Sequence, residues 1–404
     1  MSLFYTMQYA GGIYMTKRNT KETLKSIKPS PIRAFNDKIS GIEGLIKLTL
    51  GEPDFPTPRF IKDAAIQSID KSFNGYSHSK GLAELRETIS GYLKRKYDLD
   101  YRAEDQIIVT VGATEAIFVS LYALLNPGDK VVTAAPNYAV YKTQVNLAGG
   151  EFVPVDVTED DFILTPERLD KVLTEDKDIK VLLMNHPSNP TGHTYTAEQI
   201  EGLAEVVKKH DIWVISDEIY SELTYKGKHV SVAKYLPEHT ILINGASKSH
   251  SMTGWRMGIV AGPADVLKQI FVIHQGAINA PTTQAQFAGL AAYSEEGDAA
   301  IEEMRLEYKI RRDYLLGRFR DMGFDVSTPN GAFYLFIKIP DWFEGDDMDF
   351  CLKVAHEAKV GLVPGQAFGE AGKNYFRLSY AANLENLETA VDRIEAFVDE
   401  NKPK

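Results

Sequence analysis

The chain has 404 residues, of which 44% are hydrophobic and 25% charged, and its formal net charge is −11. That length can bury a large core and divide into two or more lobes, and the composition is that of an ordinary globular protein. The negative balance argues against a general binder of nucleic acid or anionic membrane, since both need a basic face; only local basic pockets for small anions remain.

No apolar run reaches eighteen residues, so no membrane span is expected. One cysteine, Cys351, leaves no intrachain disulfide framework. It fits a reducing compartment, and the expected location is cytoplasmic.

The first fourteen residues, "MSLFYTMQYAGGIY", carry no charged side chain and lack the basic start of a secretory signal. They read as a leader, with Met15 as the natural start. Residues 15–60 are too short for a domain and are expected to pack on a second lobe. From 61 to 295 a short apolar run, a turn and a helical pattern recur. The runs are "QIIVTV" (106–111), "KVVTAA" (130–135), "KVLLMN" (180–185), "DIWVIS" (211–216) and "TILIN" (240–244). They are apolar at nearly every position, as strands buried on both faces are. Amphipathic helices are expected at 113–125, 138–148 and 197–210, the last N-capped by Thr196. Strands alternating with helices predict an α/β fold whose central sheet is mostly parallel and flanked by helices.

Beyond residue 295 the texture changes. A charged helical segment (298–322), "GAFYLFIKI", a helix near 347–358, "VGLVPG", "YFRLSYA" and a helix over 383–400 read as a smaller α+β domain, 296–404.

In open parallel sheets, ligands bind outside the carboxyl ends of the strands. After "IIVTV" comes "GATEAI", where Gly112 turns the chain into a helix whose free N–H groups can hold an anion. After "VVTAA" comes Tyr138, and after "VLLMN" comes Asn189 in "HPSNPTG". After "WVIS" come Asp217 and Tyr220 in "DEIY". After "TILIN" comes Lys248 in "GASK". Singly, each admits a plain reading as turn, cap, core aromatic or solvated lysine. Jointly they suit pyridoxal phosphate. Its aldehyde needs a lysine, its phosphate a helix N-terminus and an arginine, and its ring an aromatic face and a carboxylate at the pyridine nitrogen.

From about Ser30 to the C-terminus the sequence resembles the fold-type I, class I/II aminotransferases. "LTLGEPDFPTP", "YSHSKGLAELRETI", "VGATEAI", "NHPSNPTG", "SDEIYSEL", "SKSHSMTGWRMG" and "FRLSYA" match in the same chain order. The resemblance implies that Lys248 is the Schiff-base lysine and proton shuttle. Asp217 would pair with the pyridinium nitrogen, Tyr220 and Asn189 with the ring oxygen, and Tyr138 would stack on the ring. Gly112, Ala113 and Thr114 would cradle the phosphate with Arg256. Tyr76 would reach the site of a second copy in the family's usual homodimer. Arg377, with Asn189 and the backbone at Gly51, would clamp the substrate α-carboxylate. Relatives often carry serine three residues before the lysine. Gly245 stands there instead, and Ser247 is the candidate to compensate.

Substrates are expected to be an amino acid and a 2-oxo acid such as 2-oxoglutarate. Residues 269–290 hold no Arg or Lys, which lowers strict dicarboxylate specificity, while Arg33 in "SPIRAF" could serve the entrance of the site. The segments look most like aromatic aminotransferases, with N-acetyl-diaminopimelate and aspartate aminotransferases as alternatives. A C–S β-lyase on the same fold would instead release pyruvate and ammonia from cystathionine. A non-catalytic sensor domain is weakened by the retained Lys248, Asp217 and Arg377. No metal site is expected, because the nine histidines show no HExxH or paired Cys/His spacing. His250 and His274 read as packing or hydrogen-bonding residues, and Cys351 as a buried small hydrophobe.

Overall fold

The computed structural model describes residues 22–25, 27 and 30–403; the leader expected at 1–14 lies outside them. Seven strands form the main sheet: β1 (Ile107–Thr110), β2 (Lys130–Ala135), β3 (Glu151–Asp156), β4 (Ile179–Asn185), β5 (Trp213–Asp217), β6 (Thr240–Gly245) and β7 (Gly258–Ala261). Their spatial order is β1-β7-β6-β5-β4-β2-β3. Only β7 runs antiparallel to its two neighbours.

Sheet residues alternate between two apolar layers because successive side chains point to opposite faces. Val131, Leu183 and Ile243 pack with the helices Gly112–Leu124 and Ala264–Ile278. Val132, Leu182 and Val214 pack with Pro166–Glu175 and Ala197–His210. Each such buried aliphatic contributes roughly 1.5–3 kcal/mol, which is why these strands read as unbroken apolar runs. Thr196 does cap the Ala197–His210 helix. Its hydroxyl accepts from Gln199 N at 3.3 Å, and the Gln199 side chain accepts from Thr196 N at 2.9 Å.

Two strands of the main sheet escaped the sequence reading. β3 is an edge strand whose residues are exposed or half-buried, with acidic ends and Pro154 inside it. β7, "GIVA", opens on glycine and closes on alanine, which leaves only Ile259 and Val260 as strongly apolar signals.

After the sheet, the 27-residue helix Glu295–Asp321 opens with acidic and closes with basic residues, matching the helix dipole. A three-stranded antiparallel sheet follows, ordered β9 (Val363–Pro364), β10 (Tyr375–Ser379), β8 (Tyr334–Lys338). Its apolar cluster includes Phe35, Ile39 and Leu48 from the N-terminal segment. This brings the helix Pro31–Ile39 and residues 49–52 over the carboxyl ends of the main strands.

Candidate active site

A cleft of about 590 Å³ opens at those carboxyl ends. At the end of β1 the chain reverses through Gly112, whose φ of +79° is a conformation that only glycine enters freely. A Cβ there would also stand 2.6 Å from Arg256 Nη2. The helix Gly112–Leu124 then starts without a side-chain cap, and Ala113 and Thr114 line the cleft. Free amides and the positive end of the dipole converge on that point.

Arg256 stands over the same turn. Its Nη1 donates to Thr253 O at 2.9 Å, and it has no carboxylate partner among the described residues. Ser247 is buried on the cleft wall. A serine at position 245 would be crowded, since a Cβ there meets Met257 O at 2.9 Å and Ile219 Cδ1 at 3.1 Å.

Asp217, at the end of β5, is buried beneath the cleft. Its Oδ2 accepts from Tyr141 Oη at 2.6 Å and its Oδ1 from Ile219 N at 3.2 Å. Burial pushes its carboxyl up, the two bonds pull it down, and the balance is about 6. Lys248, after β6, donates to Gly51 O at 2.6 Å and faces the Tyr220 ring at 6.0 Å. Burial is the main force lowering its ammonium to about 8. Arg256 and Arg377 add to that, against Glu52 and Asp217.

Across the cleft Tyr220 Oη lies 2.7 Å from Tyr334 Oη. Arg377, 2% exposed, donates to Asn189 Oδ1 at 2.8 Å and to Thr49 O at 2.7 Å. Its Nε is buried without a partner, and it has no carboxylate partner among the described residues. An unpaired buried guanidinium is costly, so the site is built for an incoming anion. Tyr138 is close enough to Asp217, Arg377, Arg256 and Arg33 for all four to bear on its phenol, which burial chiefly raises.

The cleft thus gathers the residues singled out from the sequence, with two exceptions. Gly112 is buried beneath Arg256, and Tyr76 is 89% exposed and outside its own chain's cleft. Tyr141 and Tyr334 were missed. Tyr141 stands three residues after Tyr138, one turn on in the helix expected over 138–148, which was the available signal; the helix itself starts at Val140. Replacing Tyr141 by phenylalanine removes a hydrogen bond to a charged group. We expect kcat to fall about tenfold, with the Asp217 carboxyl titrating higher; steady-state rates and a pH profile check this.

The histidines are less scattered in space than in sequence. The ligand atoms of His186, Glu218 and His229 lie within 4.8 Å of one another, and Glu218 directly follows Asp217. The carboxylate is occupied by internal bonds. It accepts from Ser216 at 2.8 Å, Ser231 at 2.7 Å and His229 at 2.6 Å.

Residues 43–394 match the family model described as aminotransferase class I and II. The chain belongs to that aminotransferase family. A probable N-acetyl-LL-diaminopimelate aminotransferase of Bacillus subtilis is 41% identical, over 93% of this chain and 94% of the relative. Aromatic-amino-acid aminotransferase 2 of Thermococcus litoralis is 38% identical, over 94% and 98%. The solved aspartate aminotransferase of Thermus thermophilus with maleate superposes with a TM-score of 0.89 at 36% identity, covering 94% of this chain and 99% of that one. The enzyme is a transaminase of fold type I, and its family depends on pyridoxal 5′-phosphate. The residues present fit that cofactor. A helix start whose N-cap residue offers no side-chain bond and Arg256 suit a phosphate, Asp217 suits a ring nitrogen, and Lys248 suits an aldehyde. Among the described residues, no helix is long and apolar enough to cross a membrane.

Proposed function

We propose that this aminotransferase moves the amino group of an L-amino acid, with aromatic donors favoured, to 2-oxoglutarate. The observation that carries this reading is Arg377, buried without a carboxylate partner in the same cleft as Lys248 and Asp217. When bound, pyridoxal phosphate supplies an aldehyde that condenses with amines and a ring that withdraws the electron pair left at Cα.

This chain's residues do the rest. Arg377 would hold the substrate α-carboxylate, helped by Asn189 and the backbone at Gly51, leaving the Cα–H facing Lys248. The Lys248 amine, with its ammonium at about 8, is neutral often enough near neutral pH to take the Cα proton and return it at C4′. Asp217 would keep a proton on the ring nitrogen, held in place by Tyr141. Tyr138 would cover the ring, and Tyr220 and Asn189 would bond its oxygen. Ala113, Thr114, Ser247 and Arg256 would hold the phosphate, on the helix start turned by Gly112. Tyr76 would come from the second copy of a homodimer, which would also cover its otherwise exposed ring.

Aromatic donors suit a cleft walled by Ile32, Leu50 and Ile117, with Arg33 at the mouth for an acidic partner such as 2-oxoglutarate. A second reading, N-acetyl-diaminopimelate as donor, is favoured by the 41% identical relative and by Arg33 itself. The expected location is cytoplasmic, and residues 296–404 with segment 15–60 would form the smaller lobe.

Absorbance of the cofactor-loaded protein, followed after adding single amino acids without an oxo acid, tests this. Phenylalanine and tyrosine should convert the cofactor to its amino form within a turnover. If only N-acetyl-diaminopimelate does so, the order of donors reverses. If no amino acid does, transamination by this site is refuted.

A further inference from the structure

His274, fully buried on the helix Ala264–Ile278, has two hydrogen-bond partners that can only accept. Its Nδ1 is 2.7 Å from Glu115 Oε1, and its Nε2 is 2.8 Å from the carbonyl oxygen of Ser79. A neutral imidazole has one N–H and can satisfy only one of them; both are satisfied only by the imidazolium. Burial is the largest single influence and opposes that charge, but the Glu115 bond, the Glu115 charge and the Ser79 carbonyl together outweigh it and raise His274 from the ordinary histidine value. Among the described residues Glu115 is the charged group that bears on the ring. Lys80, on the segment after Ser79, sends its ammonium away to Glu104 O at 3.1 Å.

Glu115 is in the first turn of the Gly112–Leu124 helix, two residues after Ala113, where its Oε2 accepts from Val111 N at 2.6 Å. Its carboxylate therefore shares the helix N-terminus that a phosphate would use. Unopposed, it competes with the phosphate for the positive end of the dipole and repels it. Paired with an imidazolium, it does neither. The same imidazolium ties this turn to Ser79, three residues from Tyr76.

We infer that His274 is a positioning residue for the cofactor phosphate: as an imidazolium it cancels Glu115 and fixes the helix start, so cofactor affinity falls when His274 loses its proton. The inference rests on the reading of Ala113 and Thr114 as phosphate donors. The sign follows from the direction of the shift. The stabilising charge is complete below the ordinary histidine value and is lost as pH rises through the higher value in the folded protein.

The test is the dissociation constant for pyridoxal phosphate from about pH 6 to about pH 9 in the wild type, His274→Gln and Glu115→Gln, with an NMR titration of the histidine rings. The wild type should bind more weakly as His274 deprotonates, and its His274 should titrate above about 6.5. His274→Gln should bind about tenfold more weakly at the acid end and lose that component of the pH dependence. Glu115→Gln should lose it too, without the acid-end weakening, because the repelling charge is gone. Lys248 titrates in all three proteins, so the differences between them isolate His274. If His274 titrates at or below the ordinary value, or if Glu115→Gln keeps the wild-type profile, the inference is overturned. A wild type that takes up no pyridoxal phosphate would refute the proposed function, while the ring titration still decides the charge on His274.

Discussion

Lys248→Ala should still fold and still bind pyridoxal phosphate, yet transaminate at least about 10⁴-fold more slowly, the upper range for loss of a general base. Binding should survive because Ala113, Thr114, Arg256 and Asp217, which would hold the cofactor, are untouched. Catalysis should not, because no other amine lines the cleft among the described residues. Arg33, Arg256 and Arg377 are the other cations there, and guanidinium is too weak an acid to take part in proton transfer at neutral pH. Folding should not suffer, since the ammonium is already disfavoured by burial. The pH dependence gives a second readout. In the wild type the rate of cofactor uptake should rise with pH and level off above about 8, as the amine becomes neutral. In the alanine variant that rise should vanish. A variant within about tenfold of wild-type turnover would sink the assignment of Lys248 as the base.

What could be read in the sequence follows from where each element sits. β2, β4, β5 and β6 are buried on both faces, so tertiary burial and local composition say the same thing. β3 lies at the edge, where half its residues meet solvent and no apolar run is required. The candidate site follows the same rule. Asn189, Asp217 and Lys248 each follow a buried strand, so a list of strand ends finds them. Tyr334 reaches the cleft from a separate sheet, 114 residues from its partner Tyr220, and nothing local marks it. The Glu115–His274 bond spans 159 residues, and His186, Glu218 and His229 meet only through the packing of three separate segments. Residues that follow a buried strand or sit in a recognisable motif, Arg377 included, were legible; pairings made only by packing distant segments were not.

Asp217→Asn should separate function from stability in one substitution. The carboxylate lies at the bottom of the cleft, and burial lifts it from 3.8 to about 6 despite the Tyr141 and Ile219 bonds. A carboxyl raised in the folded state binds its proton more tightly there than in the unfolded chain. It therefore costs no stability below the unfolded value, and the cost grows as pH rises, levelling off above the folded value. At neutral pH that cost is at most about 3 kcal/mol in the cofactor-free protein. Asparagine keeps the shape and removes the charge, so the cofactor-free variant should melt higher than the wild type at pH 8 and equally at pH 4. Activity should move the other way. An amide cannot hold a proton on a ring nitrogen as a carboxylate does, and losing one preorganised electrostatic partner costs about 10²–10³-fold in kcat. Because a cationic ring would also neutralise the buried charge, adding pyridoxal phosphate should raise the wild-type melting temperature more than the variant's. Equal shifts in both proteins, or a variant that melts lower at pH 8, would show that Asp217 is satisfied within the protein and is not waiting for a positively charged partner.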